Sequence, residues 1–104
     1  MSNLETFKAL LDKGNDNALL RYSLGNEYFK AHDFKQAITH LEKAIAFNQS
    51  FSAAWKLYAK ALSENKQHTE AISAYEKGIT IAEENRDIQA AKEMRVFLKR
   101  LENN

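Results

Sequence analysis

Histidine and cysteine, which often bind metals or act as nucleophiles, are scarce in this sequence. The chain has three histidines, His32, His40 and His68, and no cysteine. A zinc site would need a histidine pair at i, i+4 or a combined set of cysteine and histidine ligands, and neither occurs. The sequence therefore predicts no metal site and no disulfide bond. We expect His40 to lie on the outer side of a helix.

The glycines are equally uninformative about chemistry. Gly14, Gly25 and Gly78 are isolated from one another, whereas a phosphate-binding loop needs clustered glycines. A Gly-x-Ser-x-Gly nucleophile elbow is also missing. Each glycine has a packing or capping explanation instead. We therefore predict no cofactor and no catalytic residue, and we do not expect an enzyme.

Composition favours helices throughout the chain. The 104 residues include no proline and only three glycines, so nothing interrupts long helices. Hydrophobic residues make up 44% and charged residues 28%, the balance of a globular protein. This length suits one domain over residues 1–104.

Charge and hydropathy limit the classes of partner. The net charge of +1 provides no overall attraction for nucleic acid. No segment approaches the roughly 18 apolar residues that would span a bilayer, so no membrane partner is predicted. Glu5, Lys8 and Asp12 interrupt the N-terminal segment, which therefore lacks a signal-peptide core. We expect a cytoplasmic protein.

A repeat of 34 residues is visible when the sequence is compared with itself. Five residues recur identically at this offset: Ala37, Ile38, Glu42, Lys43 and Ile45 return as Ala71, Ile72, Glu76, Lys77 and Ile79. The same offset pairs Gly25 with Ala59, which keeps a small residue in both units. Such small residues allow helix backbones to approach closely.

Each unit is predicted to form two antiparallel helices joined by a polar turn, at residues 31–33 and 65–67. Apolar residues recur at helical spacing on both sides of each turn. On the first helices they include Leu20, Leu24 and Tyr28, then Ala54, Tyr58 and Leu62. On the second helices they include Ala37, Leu41 and Ala44, then Ala71, Tyr75 and Ile79.

These two units resemble tetratricopeptide repeats, a family of 34-residue helix-turn-helix modules. The matching positions are Leu24, Gly25, Tyr28, Ala37, Leu41 and Ala44, then Trp55, Tyr58, Ala59, Leu62, Ala71, Tyr75 and Gly78. Arg21 stands where the second unit has Trp55, and Gln49 replaces the proline that often follows a repeat. The resemblance implies an all-α stack of antiparallel helix pairs, a right-handed α-α superhelix of about six helices.

The ends of the chain fit the same plan. Residues 3–13 are similar to the second helix of a repeat, so we interpret them as half a repeat. The complete repeats are predicted at 18–51 and 52–85. Asp87 is a good N-cap for a final helix over 87–102, which the resemblance makes a capping helix with a polar outer face.

In this family the first helix of each pair lines a concave groove that commonly binds a peptide. The resemblance places six residues there: Tyr22, Asn26, Phe29, Lys56, Lys60 and Ser63. Aromatic side chains beside lysines suit a peptide with an apolar anchor and an acidic group. The alternative is that Tyr22 and Phe29 pack against neighbouring helices and that the lysines form an ordinary solvated face.

One subfamily binds the C-terminal carboxylates of chaperones with a clamp of lysine, asparagine and arginine. Only Asn26 matches that clamp. Tyr22 and Leu57 replace a lysine and an asparagine, and the last helix offers Asp87 or Ala91 where lysine and arginine are expected. We therefore do not expect chaperone-tail binding.

The last helix carries a broad apolar stripe: Ile88, Ala91, Met94, Leu98 and Leu101. It either packs deeply on the second repeat or leaves a patch for self-association or a partner. Its basic side is interrupted by Glu93 and Glu102 and has no aromatic stacking platform, which argues against nucleic acid.

Two hypotheses for function follow. The first is a protein-protein interaction module, an adaptor or scaffold that holds a protein or peptide in the groove. The second is a self-associating structural protein, which would form a homodimer through the C-terminal helix or an edge of the repeat stack.

Overall fold

Six helices account for most of the chain in the computed structural model, which describes residues 2–103. In order they are α1 (Asn3–Asp12), α2 (Ala18–Lys30), α3 (Phe34–Phe47), α4 (Ser52–Glu64), α5 (His68–Glu84) and α6 (Ile88–Glu102). No strand occurs within that described range. The predicted all-α fold of about six helices is therefore confirmed for residues 2–103.

The helices stack in chain order, each packing on the next. In addition, the backbone of α4 comes close to those of both α2 and α6, whereas the backbones of α3 and α5 do not approach each other in the described part of the chain. The stack therefore curves toward the layer formed by α2, α4 and α6. We call the solvent-facing side of this layer the concave surface.

The same tight turn follows α2, α4 and α5. A residue in the left-handed region stands in each turn, at His32 (φ 62°), Lys66 (φ 65°) and Arg86 (φ 60°). The next residue donates its backbone N–H to a carbonyl five residues earlier, as Asp33 does to Tyr28 at 2.9 Å. These bonds satisfy carbonyls that a helix end would otherwise leave unpaired.

Small residues lie where the helices come closest together. Ala37, Ala44, Ala59 and Ala71 are fully buried, as the repeat pattern predicts. Gly25 also lies in this interface, directly against Leu41 of α3. Close approach at these positions lets large neighbouring side chains interlock. The largest fully buried side chains in the described range are Tyr75, Leu24, Leu41, Leu62 and Met94.

Two side-chain hydrogen bonds hold the first turn of α4 in place. Trp55 donates its indole N–H to the carbonyl of Gln49 at 2.9 Å. The Ser52 hydroxyl donates to the Asp87 carboxylate at 2.8 Å, and the same carboxylate accepts from the backbone N–H of Ala90. Asp87 is therefore the N-cap of α6, as predicted, and also ties α6 to the start of α4.

His40 does not lie on the outer side of its helix, so that expectation is wrong. Its ring is half-buried and stacks on Tyr28, with the ring centroids 5.3 Å apart. Nη1 of Arg21 lies 3.1 Å from Nδ1 of His40, while the same guanidinium makes two hydrogen bonds to Asp16. Side chains from α2 therefore cover a ring that the helical pattern of α3 alone assigned to solvent.

The apolar stripe of α6 is mostly used for packing. Ala91 and Met94 are buried, and Leu98 and Leu101 are half-buried against the cluster around Tyr75. Ile88 is the exception in this stripe, because 66% of it is exposed. Packing thus accounts for most of the stripe and leaves one end of it open.

Candidate peptide-binding surface

The six residues predicted to line the groove all lie on α2 and α4, and all are half-buried: Tyr22, Asn26, Phe29, Lys56, Lys60 and Ser63. Both helices belong to the layer toward which the stack curves. Partial burial leaves part of each side chain in contact with solvent. Contacts join part of this set, because Lys60 lies over Phe29, and Lys60 and Ser63 line one cavity with Phe97 of α6.

Lys60 is the central residue of this surface. Its ammonium lies 5.6 Å from the ring centroid of Phe29 on α2 and 5.2 Å from that of Phe97 on α6. A cation between two aromatic faces is attracted by both rings. No carboxylate in residues 2–103 lies within ion-pair distance of Lys60. The charge of Lys60 is thus held in position without being neutralised.

Lys56 differs from Lys60 because it already has a partner. Its ammonium lies 2.8 Å from Oε2 of Glu93 on α6, and Oε1 of Glu93 accepts from the side-chain amide of Gln89 at 3.2 Å. These hydrogen bonds, with that of Lys56 first, lower the pKa of Glu93, and the charges of Lys56 and Lys60 lower it further. Glu93 therefore remains ionised at neutral pH.

The two aromatic residues of α2 that were predicted to line the groove contact neighbouring rings. Tyr22 lies against Phe51, with centroids 5.0 Å apart, and Phe29 meets Phe34 edge-on at 5.3 Å. Each is also only half-buried. The rings are consequently fixed in place by packing while one side of each remains open.

Comparison with known proteins identifies the family. A family model described as tetratricopeptide repeat matches residues 28–94, more than half of the chain.

The chain belongs to the tetratricopeptide repeat family.

Relatives match along nearly the whole length. A tetratricopeptide repeat-containing protein of Pseudomonas aeruginosa is 40% identical over 99 residues, which cover 95% of this chain and 94% of that protein. A solution structure of a protein from Bordetella parapertussis is 37% identical, with a TM-score of 0.88 over 99% of this chain and 90% of that one.

A more distant structure supports the fold alone. The tetratricopeptide repeat domain of a Salinibacter ruber protein superposes with a TM-score of 0.77 at 19% identity, over 85% of this chain and 89% of that chain. Tetratricopeptide repeat proteins are in general protein-protein interaction modules and are typically not enzymes.

Beside Lys60, the tetratricopeptide stack has an open cavity of about 280 Å³ between α4, α5 and α6. Its lining comprises Lys60, Ser63, Glu64, Tyr75, Phe97, Arg100 and Leu101. The guanidinium of Arg100 lies 5.7 Å from the centroid of Phe97, the same ring that the Lys60 ammonium contacts. Burial, followed by the charge of Glu64, raises the pKa of Tyr75, so its hydroxyl stays neutral.

The residues of α6 on this surface were not among those that the sequence analysis placed in the groove. Glu93, Phe97 and Arg100 contact or neighbour the lysines of α4, yet the 34-residue offset does not point to them. The reason is that α4 begins 34 residues after α2, whereas α6 begins 36 residues after α4. The apolar stripe of α6 was the available signal, because Phe97 stands three residues after Met94 and four before Leu101.

Polar groups for a partner's backbone are available on the same surface. The side chains of Asn26 and Ser63 make no hydrogen bond to another described residue.

Within residues 2–103, no three side chains of histidine, aspartate or glutamate come together as metal ligands. Over the same range, no helix has the length and apolar character to cross a membrane.

Proposed function

We propose that this protein is an adaptor or scaffold that binds a peptide or protein segment on its concave surface, through Tyr22, Asn26, Phe29, Lys56, Lys60 and Ser63. The proposal includes the absence of catalysis. It extends the general role of tetratricopeptide repeats, which is protein-protein interaction, to a particular set of residues in this chain.

The observation that carries the proposal is the position of Lys60. A lysine that only keeps a surface in contact with water does not need to lie between two rings, as Lys60 does between rings from different helices. Here the rings fix the ammonium while no carboxylate neutralises it within residues 2–103. A partner that brings an acidic group beside an apolar one would contact both the charge and the rings.

We also propose the division of the chain that supports this surface: one domain over 1–104, with a half-repeat at 3–13, repeats at 18–51 and 52–85, and a capping helix over 87–102. Residues 1 and 104 lie outside the described range. The helix pairs α2–α3 and α4–α5 support this division. Three helices form only a short, shallow groove, so the segment bound there should be brief.

A charge reversal at Lys60 tests the proposal. A partner captured from the source cells by the tagged protein would be identified by mass spectrometry and then titrated against purified variants. Lys60→Glu should weaken binding by about tenfold or more, because it loses the central cation and introduces a repulsive charge. Lys56 is a poorer choice, since its reversal would also break the ion pair with Glu93.

The matched control is Lys35→Glu, which makes the same charge change on the exposed side of α3. It should leave binding of the same partner unchanged. Equal affinities for wild type, Lys35→Glu and Lys60→Glu would show that the partner does not use the concave surface.

Exposed apolar residues favour homodimer formation as a second candidate function. On α6, the exposed fraction is 66% for Ile88 and 50% for Val96. At the N-terminal edge of the stack, it is 68% for Leu19 and 39% for Leu10. The edge residues Leu10 and Leu19 also line a cavity of about 330 Å³ with Phe7. Exposed apolar side chains of this kind are a common feature of subunit contacts.

Light scattering over a range of concentrations distinguishes the two candidates. A dimer should dissociate when Val96→Asp or Leu19→Asp is introduced, depending on which face it uses. A wild-type protein that remains monomeric at millimolar concentration would rule out the homodimer.

A further inference from the structure

The concave surface already contains a carboxylate of its own. Glu93 of α6 reaches across to α4, where Oε2 lies 2.8 Å from the Lys56 ammonium, and Gln89 supports the other oxygen at 3.2 Å. An acidic residue of α6 thus makes the contact that an acidic residue of a bound peptide would make with the same lysine.

This internal ion pair is open to exchange. The exposed fractions of the two side chains are 28% for Lys56 and 38% for Glu93. Half-exposed ion pairs contribute little net stability, because water competes with both partners. A carboxylate from another molecule can therefore replace Glu93 without breaking the packing of α6, which depends on Met94 and Ala91 on its buried side.

The cations around Glu93 define the preferred partner. Lys56 and Lys60 lie four residues apart on α4, and Arg100 borders the cavity beyond Lys60. Within that cavity Glu64 is the carboxylate that opposes them. Phe29 and Phe97 add apolar area on either side of Lys60. Charge complementarity thus favours a segment with carboxylates on both sides of an apolar residue.

We propose that the segment bound by this surface is acidic and that one of its carboxylates displaces Glu93 from Lys56, so that Glu93 acts as an internal competitor. This inference rests on the proposed function. Glu93 then reduces the affinity for all acidic segments and excludes those too weak to displace it. The low pKa of Glu93 keeps this competitor charged at neutral pH.

Glu93→Gln is the decisive variant, because it keeps the shape of the side chain and removes the competing charge. The probes are two synthetic peptides, acetyl-Glu-Asp-Phe-Asp-Glu-amide and acetyl-Lys-Gln-Phe-Gln-Lys-amide, titrated into ¹⁵N-labelled protein. The acidic peptide should shift the amide signals of Lys56, Lys60 and Phe97, and the basic peptide should not. Glu93→Gln should bind the acidic peptide about two- to fivefold more tightly than wild type.

Two controls separate competition from a change in net charge. Glu76→Gln makes the same charge change on the exposed side of α5 and should alter affinity much less. In a Lys56→Gln background, Glu93→Gln should lose most of its effect, because the contested lysine is gone. An equal gain from Glu76→Gln, or an undiminished gain without Lys56, overturns the inference, as does tighter binding of the basic peptide.

The captured cellular partner distinguishes this inference from the proposed function. If its binding depends on Lys60 but does not change in Glu93→Gln, the concave surface is the site and the competition is absent. If its binding is indifferent to Lys60→Glu and neither peptide shifts the signals of Lys56, Lys60 and Phe97, both the proposed function and the inference fail.

Discussion

Gly25 of α2 lies so close to Leu41 of α3 that a Cβ atom added to it would be 2.6 Å from Cγ of Leu41 and 2.8 Å from Cδ2. Leu41 is fully buried, so a shift of its side chain would disturb the core atoms packed around it. This close contact between α2 and α3 therefore depends on the absence of one methyl group.

Gly25→Ala should lower the free energy of unfolding by about 1–3 kcal/mol through overpacking. The gain of up to about 1 kcal/mol in helix propensity offsets only part of this cost. Urea unfolding measures the difference. In a Leu41→Ala background the same change should cost far less, and a Gly25→Ala protein as stable as wild type would contradict the packing argument.

Asp87 and Asp33 provide a matched pair of helix caps. Each accepts a backbone N–H from the first turn of its helix, but Asp87 also accepts from the nearly buried Ser52 hydroxyl. Asp33→Ala should cost about 1 kcal/mol, the usual value for a lost cap. Asp87→Ala should cost about 1 kcal/mol more, because Ser52 loses its partner as well. Equal losses in urea unfolding would show that the Ser52 bond contributes nothing.

His40 makes stability sensitive to mild acid. Burial, and then the charge of Arg21, lower its pKa in the folded protein below the ordinary 6.5. The unfolded chain therefore binds a proton more readily, and the free energy of unfolding falls as the pH decreases through and below about 6.5. Urea unfolding between pH 7.5 and pH 5.5, a range set by about one unit either side of that value, measures the slope.

His40→Gln should flatten this pH dependence, whatever it does to stability at neutral pH. Asp16 does not contribute to the slope, because its hydrogen bond with Arg21 lowers its pKa below the ordinary 3.8, which is outside the pH range of the experiment. An unchanged slope in His40→Gln would mean that another group is responsible.

Lys66 has a left-handed backbone conformation that glycine adopts without strain. Lys66→Gly should therefore raise the free energy of unfolding, by up to about 1 kcal/mol after the greater freedom of glycine in the unfolded chain is subtracted. Lys43→Gly, at an exposed position in the interior of α3, should lower it by about 1 kcal/mol. Thermal unfolding compares the two variants, and a loss of stability in both would contradict the assignment of strain to the turn.

Local rules made much of the fold predictable. The 34-residue offset that pairs Gly25 with Ala59 predicts a close helix contact, and Gly25 does contact Leu41. Asp87 was recognisable as a cap because an acidic residue precedes an apolar helical pattern. Its bond to Ser52 was not, since that contact depends on how α6 lies against α4.

Other features depend on contacts between helices that no single-helix pattern contains. His40 looked solvent-exposed on α3, yet Arg21 and Tyr28 from α2 cover it. Phe97 and Glu93 contact the lysines of α4, but α6 begins two residues later than the repeat requires, so the 34-residue offset does not identify them. For Lys60, the sequence predicted the groove position but not the ring on α6.

The two rings beside Lys60 also give it a spectroscopic signature. Protons above the face of an aromatic ring experience ring-current shielding, so the methylene protons next to the Lys60 ammonium should resonate upfield of those of lysines that contact no ring. A ligand that draws the ammonium away from Phe29 or Phe97 would move these resonances back. The unmodified side chain therefore serves as a built-in NMR probe of occupancy, without any attached label.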